Sequence, residues 1–242
     1  MQEREAQKPN IPAELQEFLT KLKDSGELES YLPQTQEPTL CELLARDFKG
    51  NIKQTNENCQ LVLQRDETLK DAIRFNEFTG QIDVVKQMPW KRSGNAFSDN
   101  DLDNIITYME INYGLHVDKQ IERAIRVVAK QNSYHPIRDK LNALVWDGEE
   151  RLQYVLTKYL GVPSSPLATE SLKVFMLGAI ERVFHPGCKF EYMLCLVGGQ
   201  GAGKSTFLRF LAMEDAWFTD DIRKLNDKGI HERLGGHWFV EI

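Results

Sequence analysis

The chain has 242 residues, 41% of them hydrophobic and 27% charged, with a net charge of −6. That balance suits a cored globular protein of one large domain or two small ones, and it excludes attraction to nucleic acid by bulk charge. It also excludes a membrane helix, since no apolar run approaches the roughly 20 residues one needs.

Residues 1–39 are polar and broken by Pro9, Pro12, Pro33 and Pro38, which reads as a flexible N-terminal tail. One short helix is expected over 13–25, where Leu15, Phe18, Leu19 and Leu22 recur at helical spacing. Residues 40–145 read as a mainly helical α+β domain. Within it, 60–64 predicts a strand, 67–76 a short helix and 81–85 a second strand. Ser98 then caps a helix, with Asp101 three residues on and Gly114 as its terminator. Asp118 is expected to cap the next, over 119–131, and Pro136 to open a third, over 137–144. Trp90 and Trp146 read as core anchors.

Residues 146–242 form the second expected domain. Helices are predicted over 149–160, ended by Gly161, and over 167–184, ended by Pro186-Gly187. The apolar run 192–197 predicts a buried strand, followed by a helix over 206–211 and strands over 216–219 and 237–242. Cys41, Cys59, Cys188 and Cys195 lack C-x-x-C spacing, the five histidines form no ligand cluster, and the charged start MQEREAQKPN is no secretory signal. These features point to reduced thiols and a cytoplasmic location.

Residues 198–205 read Gly-Gly-Gln-Gly-Ala-Gly-Lys-Ser. This fits the phosphate-binding pattern G-x-x-x-x-G-K-[ST], in the required context between an apolar run and a helix. Backbone N–H groups must come close to polyphosphate oxygens, and Gly198, Gly199, Gly201 and Gly203 remove the side chains that would block them. A helix starting near Gly203 aims its free N–H groups and positive dipole end at the same oxygens. The candidate ATP site therefore runs from Gly198 and Gly199 through Gln200, Gly201, Ala202 and Gly203 to Lys204, Ser205 and Thr206. Lys204 would serve the β- and γ-phosphates, and Ser205 would ligate Mg²⁺.

Such a site also uses an acidic residue at the end of a second buried strand. Glu241, after Trp238-Phe239-Val240, is the best candidate, with Asp220 and Asp221 as an alternative. Lys204 and Glu241 are thus the expected catalytic residues, and Ser205 and Glu241 the expected metal ligands. A further feature is a stripe in the predicted helix 119–131. Lys119, Arg123, Arg126 and Lys130 recur at i, i+4, i+7 and i+11, opposite Ile121, Ala124, Ile125 and Val128. The stripe suits either a DNA phosphate backbone or plain solvent.

The chain resembles the virulence-associated protein E family of phages and mobile elements. The resemblance rests on Phe75-Asn76-Glu77-Phe78-Thr79-Gly80 with Pro89-Trp90, on Tyr113-Gly114-Leu115 and on Tyr134-His135-Pro136-Ile137-Arg138-Asp139. It continues through Trp146-Asp147-Gly148, Arg151-Leu152, Tyr159-Leu160-Gly161, Pro186-Gly187-Cys188-Lys189, the glycine loop and residues 238–242, covering roughly 55–242. That family is similar to superfamily 3 helicases of the AAA+ class. The resemblance implies an α/β P-loop NTPase fold preceded by the α+β domain, and an ATP- and Mg²⁺-dependent helicase acting on DNA, expected to be single-stranded. A ring-shaped homo-oligomer is also implied, while the lack of a long apolar run sets the expectation of no membrane partner.

Relatives continue past the glutamate with another acidic residue and with strands carrying a polar sensor and an arginine finger. The sequence ending at Ile242 is therefore expected to be a truncated member with an incomplete parallel sheet. The alternative to an active ATPase is a non-hydrolysing remnant that binds ATP or joins a full-length relative as a regulator.

Overall fold

The computed structural model describes residues 12–25, 38–221 and 234–242. They divide into two units, Met1–Leu43 and Leu44–Ile242. In the first, helix α1 (Ala13–Asp24) follows Pro12 and closes at Ser25, whose N–H donates to the Lys21 carbonyl. A single turn, α2 (Leu40–Leu43), is braced by the Glu42 carboxylate, which accepts from the Thr39 N–H at 2.8 Å. Most of the expected tail lies outside the described residues.

The second unit opens with a correction. Residues 60–64 are not a strand but part of helix α3 (Asn56–Arg65), capped by Thr55, whose hydroxyl accepts from the Asn58 N–H. The buried residues Asn58, Cys59, Val62 and Leu63 fall on one helical face. The carboxamide of Asn58 ties that face to Ala45 and Lys53. Burial pushes the Cys59 thiol up to about 11, so it stays protonated.

Residues 67–76 form no helix, because the Asp66 carboxylate gathers the N–H groups of Thr68 and Leu69 and Asp71 adopts a positive φ of 59°. The chain then runs into strand β1 (Ile73–Asn76), which pairs antiparallel with β2 (Gln81–Val84), Ile73 opposite Val84.

Helix α4 (Asp99–Tyr113) has both predicted ends. Ser98 and Asp101 exchange the two hydrogen bonds of a capping box, and Gly114 closes the helix at φ 64°. No atom lies within 4 Å of a Cβ added at Gly114, so Gly114→Ala isolates backbone strain. A loss of about 1–2 kcal/mol in urea unfolding is the expected result.

Helix α5 (Asp118–Gln131) begins one residue before its prediction, with Val117 at the cap position and no side-chain cap. Its buried face of Ile121, Ala124, Ile125, Val128 and Ala129 packs on α3 and β1. Each fully buried Ile or Val there stabilises the unit by about 1.5–3 kcal/mol. Helix α6 (Pro136–Asn142) is capped by His135, whose Nδ1 accepts from the Arg138 N–H.

The expected helix from 149 starts only at Leu152, as α7 (Leu152–Leu160), because Asp147 holds the Glu149 N–H and the Arg151 guanidinium just ahead of it. Trp146 is 75% exposed and anchors no core, whereas Trp90 is half-buried with its indole N–H on Asp101. Helix α8 (Pro166–Phe184) is capped by Ser165. Helix α9 (Lys204–Leu211), a 3-10 turn Asp215–Trp217, and strands β3 (Phe218–Thr219) and β4 (Phe239–Val240) complete the chain.

Strands β3 and β4 pair in parallel, Phe218 opposite Phe239. Two adjoining apolar clusters support them. One centres on Leu156, Leu172 and Phe207, the other on Ala212, Phe218 and Phe239, with Phe175 and Leu208 reaching both. The predicted strand over 192–197 pairs with no other strand among the described residues. Its residues nevertheless alternate. Leu194 and Leu196 pack into the first cluster, while Met193, Cys195 and Val197 face outward.

Candidate functional site

The glycine loop sits between the 192–197 segment and the start of α9. Gly201 and Gly203 hold φ near +81° and +82°, a region that side chains strain to reach, which explains glycine at both places. Gly203 is the N-cap of α9 and offers no side chain to its first turn, and no side-chain cap is made there. The first N–H groups of the helix have no intrahelical partner and stand at its positive end.

The Lys204 ammonium folds back over this loop. It donates to the carbonyls of Gly198 and Gly199, both at 2.9 Å. The cation is thereby held over the loop by two carbonyl acceptors. Gln200, Ala202 and Thr206 lie exposed around it.

From the other side comes Glu241. It stands one residue past β4, with its own N–H donating to the Thr219 carbonyl at 2.8 Å. Its Oε1 accepts from the Ser205 hydroxyl at 2.7 Å, across 36 residues of sequence. Its Oε2 is buried and has no hydrogen-bond partner among the described residues. A buried carboxylate oxygen without a donor, beside a hydroxyl, is a donor set that fits a hard divalent cation such as Mg²⁺. Asp220 and Asp221 do not share this position. Asp220 faces Arg209 at 3.7 Å, and the Asp221 N–H turns back to the Thr219 hydroxyl.

Two grooves flank the loop. One, of about 770 Å³, runs along residues 192–197 and α8 and touches Gly198, Ala202 and Lys204. The other, of about 570 Å³, lies between α7 and α9 and touches Gly203 and Thr206.

Residues 141–242 match the Virulence-associated protein E-like domain. The C-terminal part of this chain is similar to that domain. No curated protein matches the chain. The glycine loop, Lys204, Ser205 and Glu241 all lie within the matched residues, which also take in α7, α8 and α9.

The basic stripe lies outside them, on α5. Lys119, Arg123, Arg126 and Lys130 are all exposed, within an arc of about 60° at 3.6 residues per turn. Arg126 lies 3.5 Å from Glu122, and the Lys130 ammonium stands 3.8 Å from the Phe75 ring centroid. Sequence reasoning missed Val155, Tyr159 and Phe210 beside the loop. Their signal was an i, i+4 pair on α7 and an exposed aromatic on α9, visible only once the two helices were known to face each other.

Proposed function

We propose that residues 198–206 bind the phosphates of ATP and that the chain is a P-loop ATPase of the helicase type, acting in DNA replication of a phage or mobile element. The observation that carries this reading is the Ser205–Glu241 hydrogen bond, which brings a phosphate-loop hydroxyl to a strand-end carboxylate. Lys204 neutralises charge on the β- and γ-phosphates, and the first N–H groups of α9 orient them. Ser205 and Glu241 would hold Mg²⁺, which supplies charge neutralisation at the phosphate oxygens. The Glu241 carboxylate would also orient the attacking water.

The test is ATP binding and turnover by the whole chain, with and without single-stranded DNA. Binding with DNA-stimulated turnover supports the reading, and absence of ATP binding refutes it.

The α5 stripe is proposed as the contact for the DNA backbone, since four exposed cations share one face and Phe75 lies beside Lys130. Arg123→Glu with Arg126→Glu should lower DNA affinity about tenfold or more and flatten the dependence of log Kd on log salt. An unchanged slope removes α5 from the interface.

One observation favours a second reading, in which the chain binds ATP without hydrolysing it and joins further copies or a full-length relative. Residues 192–197 carry no ladder partner among the described residues, and Tyr192, Met193 and Val197 are exposed there. ATP binding without turnover, together with a concentration-dependent mass in solution, supports it.

A further inference from the structure

We propose that the groove between α7 and α9 takes the base of the nucleoside triphosphate, by stacking and burial and without reading the hydrogen-bonding edge of the base. This rests on the phosphate-site reading above. Gly203 and Thr206 belong both to the loop and to the rim of this groove, so a nucleoside leaving the first turn of α9 enters it directly. Its walls are Val155 and Tyr159, one turn apart on α7, and Phe207 and Phe210 on α9. Tyr159 is 63% and Phe210 78% exposed, two large rings left open to solvent at the mouth of an anion site. Base stacking on such rings tolerates any base, because every base has a π-face. The Lys158 ammonium lies 5.2 Å from the Tyr159 ring centroid.

The larger groove suits a base less well. Its long wall is the extended segment 192–197, mostly aliphatic, and Glu170 is one of its lining residues. Among the described residues the α7–α9 groove is lined by no acidic, amide or basic side chain, and its polar side-chain groups are the hydroxyls of Tyr159 and Thr206. Adenine and guanine differ at their polar edges, and a site rejects a wrong edge strongly only when it has buried groups to pair with the right one. A wall of rings and aliphatics selects by area alone, which favours purines over pyrimidines.

Calorimetric titration of the whole chain with ATP, GTP, CTP and inorganic tripolyphosphate tests this. ATP and GTP should bind within about threefold of each other, and CTP more weakly. Tyr159→Ala and Phe210→Ala should each weaken ATP at least about fivefold while leaving tripolyphosphate unchanged. Tyr159→Phe should retain ATP binding, and Lys204→Ala should weaken both ligands. An ATP-to-tripolyphosphate ratio unmoved by the two alanine variants overturns the groove assignment. A preference of 100-fold or more between ATP and GTP overturns the unread edge. Tripolyphosphate and ATP both failing to bind wild type refutes the phosphate site itself, a result distinct from either.

Discussion

Replacing Lys204 by alanine should weaken Mg·ATP binding by about 30- to 1,000-fold, the cost of about 2–4 kcal/mol for losing a cation opposite a phosphate. The fold should survive, because among the described residues the Lys204 ammonium bonds the loop carbonyls of Gly198 and Gly199 and no core group. Circular dichroism should therefore match wild type while calorimetry shows the lost affinity. Glu241→Gln separates the two halves of the site. It keeps the size of the side chain and its contact with Ser205, but removes the charge. ATP binding should persist within about tenfold, and any turnover should fall by about 100-fold or more. Full ATP affinity in Lys204→Ala would sink the assignment of the loop.

Asp101→Ala should destabilise the second unit by about 3–5 kcal/mol, because it strands a buried cation. The Asp101 side chain is 1% exposed and accepts from the Arg92 Nε at 2.7 Å and the Trp90 indole at 2.8 Å. Ser98 adds its N–H and its hydroxyl, at 3.0 and 2.9 Å. Removing the carboxylate leaves Arg92, only 13% exposed, without its counter-charge. Against a total stability of about 5–15 kcal/mol, that is a large fraction.

The same group gives a pH signature. Burial pushes the Asp101 carboxyl up, but the Arg92, Trp90 and Ser98 hydrogen bonds outweigh it and hold the group down to about 2. Its folded value is thus below its unfolded value of about 3.9. The stabilisation is complete above about pH 4 and is lost as pH falls towards 2. The urea midpoint of wild type should drop across that window, and the drop should be smaller in Asp101→Ala. Equal drops in both proteins would show that the group is not what the acid limb reports.

What could be read from the sequence was what local chemistry decides. The capping box and Gly114 mark α4 within one turn, and Gly161 and Gly203 sit at helix ends for backbone reasons alone. Residues 60–64 misled because Leu-Val-Leu suits a strand as well as a helix. Only the spacing of Cys59, Val62 and Leu63, with Thr55 ahead of them, separates the two. The helix expected over 67–76 failed because Asp66 gathers the turn ahead of β1. Sequence placed Glu241 at a strand end, but its approach to Ser205 is tertiary. So is the Arg92–Trp90–Asp101 cluster, which no periodicity announces. Val155 and Tyr159 gained meaning only from α9 lying opposite them.

The two-residue parallel ladder has a consequence for how this site tolerates change. Side chains along a strand alternate sides, so Phe239, packed on Phe175, and Glu241, against Ser205, share a side that Val240 does not. The position of the carboxylate is therefore a matter of phase rather than of distance along the chain. Deleting one residue from β4 would bring an apolar side chain to the Ser205 hydroxyl and turn the acid away, with the composition of the segment almost unchanged. The site should accept many substitutions around Glu241 and almost no single-residue insertion or deletion between it and Phe239.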